Sequence, residues 1–176
     1  MVIFLRKAML KDIDSIMEII DNAKELLKQD GSSQWQSGEP SRATFINDIK
    51  RGECYVLTVE GKVAGVTTVY EQPDANYATI HDGHWQSNEP YATLHRVAIS
   101  PNYRGQHLTD ILFTSLFTLI YSKGFRFVRL DTHRKNKRVQ HIAQKWGFQY
   151  RGLITTDAKA DAIDPERLAY ELELND

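Results

Sequence analysis

The chain has 176 residues, of which 41% are apolar and 26% charged, and its formal net charge is −1. These values fit one globular domain over residues 1–176 with a sizeable core. They exclude any global electrostatic case for nucleic acid or an anionic membrane as partner. Cys54 is the only cysteine, which excludes an intrachain disulfide framework and a multi-cysteine metal site. The opening Met-Val-Ile-Phe-Leu-Arg-Lys carries its charges after the apolar residues, unlike a signal peptide, and no apolar run is long enough to span a membrane. A reducing cytoplasm is the expected location.

Val2 to Arg6 reads as a short strand. A helix follows from Lys11 to near Gly31, with Ile13, Ile16, Met17, Ile19, Ile20, Ala23, Leu26 and Leu27 on one stripe. Gly31 to Ser41 is a polar loop that encloses Trp35. Ser41 is placed to cap a helix running to Lys50. Cys54–Val59 and Val63–Tyr70 read as a hairpin around Glu60-Gly61-Lys62. Gln72 to Glu89 is polar and irregular. Tyr91–Ile99 reads as a strand, Gly105–Tyr121 as a helix, Phe127–His133 as a strand and Asn136–Trp146 as a helix. Gln149–Leu153 and Arg167–Leu174 read as closing strands, joined by a polar connection from Asp157 to Glu166. Strands and helices alternate only in part, so the expected class is α/β or α+β with a mixed sheet.

Asn102-Tyr103-Arg104-Gly105-Gln106 lies between a strand and a helix. A glycine turn that opens a helix offers unpaired N–H groups and a partial positive charge, a setting that favours an anion such as phosphate. Arg104 adds a fork of donors. The bland alternative is an ordinary strand-to-helix turn with a surface arginine. From Lys123 to Arg138 there are seven basic residues and one acid, Asp131. Most such runs are solvated helix faces, yet in a near-neutral chain this one makes a local positive field.

Leu94 to Phe148 resembles the GNAT superfamily of N-acetyltransferases. The resemblance rests on Val97-Ala98-Ile99-Ser100-Pro101 at a strand end, on Arg104 to Thr109 as the Gln/Arg-x-x-Gly-x-Gly/Ala loop, on Asn136 after the next strand, and on Gly147-Phe148 after the next helix. It implies a mixed, mostly antiparallel central sheet flanked by helices, and acetyl-CoA as co-substrate. It also implies that the backbone of Val97, Ala98 and Ile99 pairs with the pantetheine arm. The N–H groups of Arg104, Gly105, Gln106, His107, Leu108 and Thr109 would hold the pyrophosphate, Asn136 would touch the arm from the far side, and the basic run could meet the 3′-phosphate. Three residues depart from the pattern. His107 and Thr109 stand where glycine or alanine is usual, and Ala143 replaces the tyrosine that usually serves as general acid. A side chain at 107 fits if its backbone is helical and it points outward.

Acetyl transfer to an amine requires a polarised carbonyl and a neutral amine. His95 is the first candidate base, expected on the same strand face as Val97 and Ile99; histidine titrates near working pH. Asp131 and His133, two residues apart on a strand, are expected side by side as further catalytic groups, with a structural polar pair as the alternative. Arg96 points to the other face, suited to an ion pair or a substrate carboxylate. Trp35 and Trp85 are candidate substrate walls. His81, Asp82, His84 and Trp85 raise a metal site, but they lack ligand spacing and read as loop residues; no metal is expected.

The expected activity is direct acetyl transfer in a ternary complex to a small amine or an amino-acid-like acceptor, with Cys54 a poor nucleophile on a separate hairpin. A non-catalytic acyl-CoA sensor and a protein or peptide N-acetyltransferase are the alternatives. The expected partner is a small-molecule amine, without nucleic acid or membrane, and a homodimer is left open.

Overall fold

The computed structural model describes residues 1–157 and 159–175. In chain order these contain strand β1 (Ile3–Lys7), helices α1 (Ile13–Gln29) and α2 (Arg42–Arg51), and strands β2 (Cys54–Val59), β3 (Lys62–Tyr70) and β4 (Tyr91–Ile99). There follow α3 (Leu108–Ser122), β5 (Phe127–Thr132), α4 (Lys137–Lys145), β6 (Gln149–Thr155) and β7 (Glu166–Glu173). The strands form one sheet in the order β1-β2-β3-β4-β5-β7-β6. Every pair is antiparallel except β4 with β5, which is parallel. The expected mixed, mostly antiparallel sheet flanked by helices is what the chain forms.

Each face of the sheet has its own core. Leu57, Leu94 and Leu130 pack with Leu112, Leu116 and Ile120 of α3 and Ala143 of α4. Val56, Val66 and Ala98 pack on the opposite face with Ile16 and Ile20 of α1 and Phe45 of α2. Burying side chains of this size stabilises by about 1.5–3 kcal/mol each, which is what sandwiches the sheet between helix pairs. No helix among the described residues is long and apolar enough to cross a membrane.

The expected boundaries shift where backbone geometry overrides pattern. Helix α1 starts at Ile13, after a short turn at Leu10–Asp12. The Ser41 cap of α2 is present, its hydroxyl accepting the Thr44 N–H at 3.3 Å. Helix α3 begins at Leu108 rather than at Gly105, because Gly105 (φ 79°) and His107 (φ 54°) are left-handed and cannot continue a right-handed helix.

Two irregularities shape the centre of the sheet. Between β3 and β4 the register passes from Val66↔Ala98 to Thr68↔His95, so Thr67 faces both Arg96 and Val97. This is a β-bulge, and Arg96 sits in it at φ 55°. Strands β4 and β5 pair only from Tyr91↔Phe127 to Thr93↔Arg129. Beyond that point they diverge and leave an open notch.

The long connection from β3 to β4 crosses over this notch. It forms a 3-10 turn at Ala75–Tyr77 and then bridges β6 through His81 and Leu153, whose backbones exchange two bonds of 2.8 Å. There Gly83 and Gly152 pass so closely that a Cβ on Gly83 would collide with the Arg151 carbonyl, and one on Gly152 would lie 2.5 Å from the His81 carbonyl oxygen.

Candidate active site

The notch opens into a cavity of about 1120 Å³. One half is built from β4 and the turn after it. Val97, Ala98, Ile99, Arg104, Gly105, His107, Leu108, Thr109 and Asn136 line this cavity, whereas Gln106 does not. Within the turn, the N–H groups of Arg104 and Gln106 already donate to the carbonyls of Pro101 and Tyr103, both at 3.2 Å. The donors left for an anion are those of Gly105, His107, Leu108 and Thr109, at the positive end of a 15-residue helix. His107 is not helical as expected. Its left-handed backbone does what a glycine would do there, at a cost histidine bears better than most residues, and its side chain is 84% exposed. The donor set and the unpaired β4 edge fit a ligand with an extended amide arm and a diphosphate.

Asn136 reaches the cavity wall with its side chain bonded within the protein. Its Oδ1 accepts the Val139 N–H at 3.3 Å and caps α4, while its Nδ2 donates to Gln34 Oε1 at 3.1 Å. The same glutamine oxygen accepts from the His133 N–H at 3.3 Å. Asn136 therefore fixes the β5–α4 turn at the cavity edge, with both ends of its side chain engaged.

The other half of the cavity lies on the α1–α2 face. The turn carrying Asp74 and Tyr77 spans the notch there with two hydrogen bonds. Asp74 Oδ2 meets His95 Nε2 of β4 at 2.7 Å, and the Tyr77 hydroxyl donates to Asp131 Oδ1 of β5 at 2.7 Å. Burial alone would raise the Asp74 carboxyl; the His95 bond, the His95 charge and the Asn76 N–H together hold it below the usual carboxylate range. Burial, with the Asp131 charge second, pushes the Tyr77 phenol far above its ordinary value. His95 also packs on the Tyr70 ring, centroids 4.8 Å apart.

The bulge corrects the expected facing of β4. His95 lies directly across from Thr68, whose hydroxyl donates to Asp48 of α2 at 2.8 Å. Arg96 donates to the same carboxylate at 2.9 Å. His95, Arg96 and Ala98 thus share the α1–α2 face, whereas Leu94, Val97 and Ile99 pack on the α3–α4 side. The extra residue cancels the alternation that would have put His95 beside Val97, while Arg96 stays opposite Val97 as expected.

Asp131 and His133 are also not the expected pair. Strand β5 ends at Thr132, and His133 turns into a buried network outside the cavity wall. Its Nδ1 accepts the Lys135 N–H at 3.2 Å, so Nε2 carries the proton and donates to Asp164 at 2.9 Å. Trp35 lines the cavity, but Trp85 does not. The Trp85 indole donates to the Tyr77 carbonyl at 3.0 Å and its ring lies 4.1 Å from the Arg129 guanidinium.

The basic run is largely neutralised in place. Lys123 pairs with Glu71, Arg129 with Glu171, Arg134 with Asp164 and Glu166, and Arg138 with Asp30. Among the described residues, no three His, Cys, Asp or Glu side chains converge to hold a metal ion. Ala143 is fully buried in the core. Cys54 is buried too, and burial, with the Asp48 charge second, pushes its thiol up to about 12.

Sequence reasoning missed Asp74, Tyr77, Gln34 and Asp48. Asp74-Ala75-Asn76 carries the local signature of an aspartate turn, and the Asn76 N–H does donate to Asp74 at 2.9 Å. Nothing local links it to a histidine 21 positions away.

Known proteins resemble the chain in both sequence and fold. The family model for the acetyltransferase (GNAT) family matches residues 20–148. A Bacillus subtilis (strain 168) protein, provisionally named a [ribosomal protein bS18]-alanine N-acetyltransferase, is 34% identical over 104 residues, covering 53% of this chain and 68% of that protein. The crystal structure of a GNAT family acetyltransferase from Streptococcus agalactiae 2603 is 34% identical and superposes with a TM-score of 0.84, covering 99% of this chain and 96% of that one. The PaiA N-acetyltransferase from Thermoplasma acidophilum, solved in complex with coenzyme A, shares the fold at 18% identity and a TM-score of 0.66, over 98% of this chain and 99% of that one. With the family model spanning both the cleft and the strands that make it, the chain belongs to the GNAT family of N-acetyltransferases, which use acetyl-CoA.

Proposed function

We propose that the protein transfers an acetyl group directly from acetyl-CoA to the amine of a small or amino-acid-like acceptor. The observation that carries this reading is the two-sided notch between β4 and β5. Anion donors and an unpaired strand edge lie on the α3 side, and a paired histidine lies on the α1–α2 side. Two substrates entering from opposite faces would meet at the gap, which is what a ternary complex needs.

Acetyl-CoA, when bound, supplies an acetyl group activated as a thioester. The N–H groups of Gly105, His107, Leu108 and Thr109 receive the phosphates, and the free backbone edge of Val97 to Ile99 receives the arm. His95 acts as base. Asp74 accepts its Nε2–H, which leaves the lone pair on Nδ1 to take the amine proton. Asp131, tied to Tyr77 through one oxygen, keeps the other for a cationic amine. Cys54 is buried and poorly ionised, so no thioester to the protein forms. Ala143 offers no proton to the departing sulfur, and the scheme needs none from that position.

The Bacillus subtilis relative favours a second reading, a peptide N-terminus as acceptor. Against it, Ser37 of the 31–41 loop meets residues 159–160 over the acceptor half, its hydroxyl 2.9 Å from the carbonyls of both Lys159 and Ala160. That cover suits a small molecule.

The test is thiol release. Purified protein, acetyl-CoA and a panel of amines, amino acids and short peptides should liberate free CoA with at least one member. Tight CoA binding with no release across the panel would replace the enzyme with a sensor.

A further inference from the structure

Arg96 is a non-glycine residue held at φ 55° in the middle of the sheet. Left-handed backbone in a long side chain is costly and persists where the surroundings impose it, often at binding sites. Here the bulge gives a specific result. Adjacent strand residues ordinarily point to opposite faces, yet His95 and Arg96 both reach the α1–α2 face and both pack on Tyr70, the guanidinium 5.6 Å from its ring centroid.

The guanidinium is anchored by one corner only. Its Nη1 donates to Asp48 Oδ2 at 2.9 Å and to the Tyr70 hydroxyl oxygen at 3.0 Å. Among the described residues, Nε and Nη2 have no acceptor, and the side chain lines the cavity at 21% exposure. Asp48 does not neutralise Arg96 alone, because it also pairs with Arg51 at 2.7 Å. Glu39 is near enough to feel the Arg96 charge, but its carboxylate is engaged by the Ser41 N–H and the Thr44 hydroxyl. The Nε–Nη2 edge of arginine carries two parallel donors that match the two oxygens of a carboxylate.

We infer that Arg96 is the specificity residue of the acceptor site and that the acceptor is an amine bearing a carboxylate close to its amino group, as in an α-amino acid. The carboxylate docks on the free Nε–Nη2 edge while the amine faces His95 on the neighbouring position. Asp48 and Tyr70 hold the fork in place. This rests on the acetyl-transfer reading for its chemistry, but not for its binding.

The experiment compares alanine, methionine and phenylalanine with their primary amides, which keep the shape and lose the charge. In wild-type protein the amino acids should exceed the amides by about 10–100-fold in kcat/KM, the range for a charge-assisted bond pair. Arg96→Lys keeps a cation for Asp48 but loses the fork, so it folds and its ratio should fall toward one. Arg96→Gln should abolish the preference. A wild-type ratio near one, or a ratio unchanged in Arg96→Lys, overturns the inference. Calorimetric binding of alanine against alaninamide to the CoA-loaded protein separates the two readings. If no amine releases thiol but alanine still binds selectively and loses that selectivity in Arg96→Lys, acetyl transfer fails and the Arg96 site stands. Equal binding of the two ligands overturns the Arg96 site by itself.

Discussion

His95 and Asp74 act as one group. In the proposed mechanism the aspartate fixes which imidazole nitrogen carries the proton and leaves Nδ1 as the base. His95→Ala and Asp74→Asn should each lower turnover by about 100-fold while leaving the CoA Kd near wild type. Parallel kinetics and CoA titration check this, and wild-type turnover in either variant removes the pair from the mechanism. Cys54 provides the contrast. With its thiol buried and pushed up to about 12, Cys54→Ala should keep turnover, and alkylating reagents should label the thiol only after unfolding. The histidine was legible in the sequence as a candidate base, and its direction was not. No glycine or proline marks the bulge at Arg96, so the alternation rule gave the wrong face for His95, while Arg96 faces away from Val97 as expected. Tyr77 and Asp48 were illegible for a related reason. Each is a polar group in an ordinary segment whose partner lies on another strand, with Asp131 54 positions from Tyr77.

At the level of elements, the notch depends on what holds its two sides apart. Strand β5 is locked to β7 by Arg129 and Glu171, buried cross-strand partners 2.7 Å apart, with the guanidinium also 3.8 Å from the Tyr91 ring centroid. Glu171→Gln leaves that cation buried without its anion and should cost about 3–5 kcal/mol, measured as a loss in urea unfolding free energy. The far end of β5 depends on Asn136. Asn136→Ala removes the α4 cap, worth about 1 kcal/mol, together with the Gln34 bond. It should lower the melting temperature and weaken CoA binding together, and an unchanged Kd would show that the turn does not shape the site. Pattern and turn chemistry foretold most of these elements. The hairpin around Gly61, the Ser41 cap and the strand-turn-helix from Tyr91 onward all form. The start of α3 did not follow the apolar period, because two left-handed residues delay it.

Across the whole molecule, hydrogen-bonded carboxylates should make stability fall in acid. Arg6, through its hydrogen bond, lowers the Asp12 carboxyl against its burial. Against the same desolvation, backbone donors and Ser33 lower Asp161, and the Thr44 and Ser41 bonds lower Glu39. A carboxylate depressed in the folded state adds stability above its unfolded value, near 4, and that stability is lost as pH falls through the folded value. Asp48 works the other way, since burial raises it despite Arg96 and Thr68. With four depressed carboxylates, Asp74 included, against one raised, urea midpoints should fall steadily below about pH 4, and a flat profile there would contradict the assigned bonds. The crossing of Gly83 over Gly152 gives this fold a further property, one that concerns heredity. The segment holding Asp74 and Tyr77 over the reaction gap is sewn to β6 at a point where no second side chain fits. Random mutagenesis under selection for activity should therefore recover only glycine at position 83, as strictly as it recovers His95, although Gly83 lies outside the cavity wall.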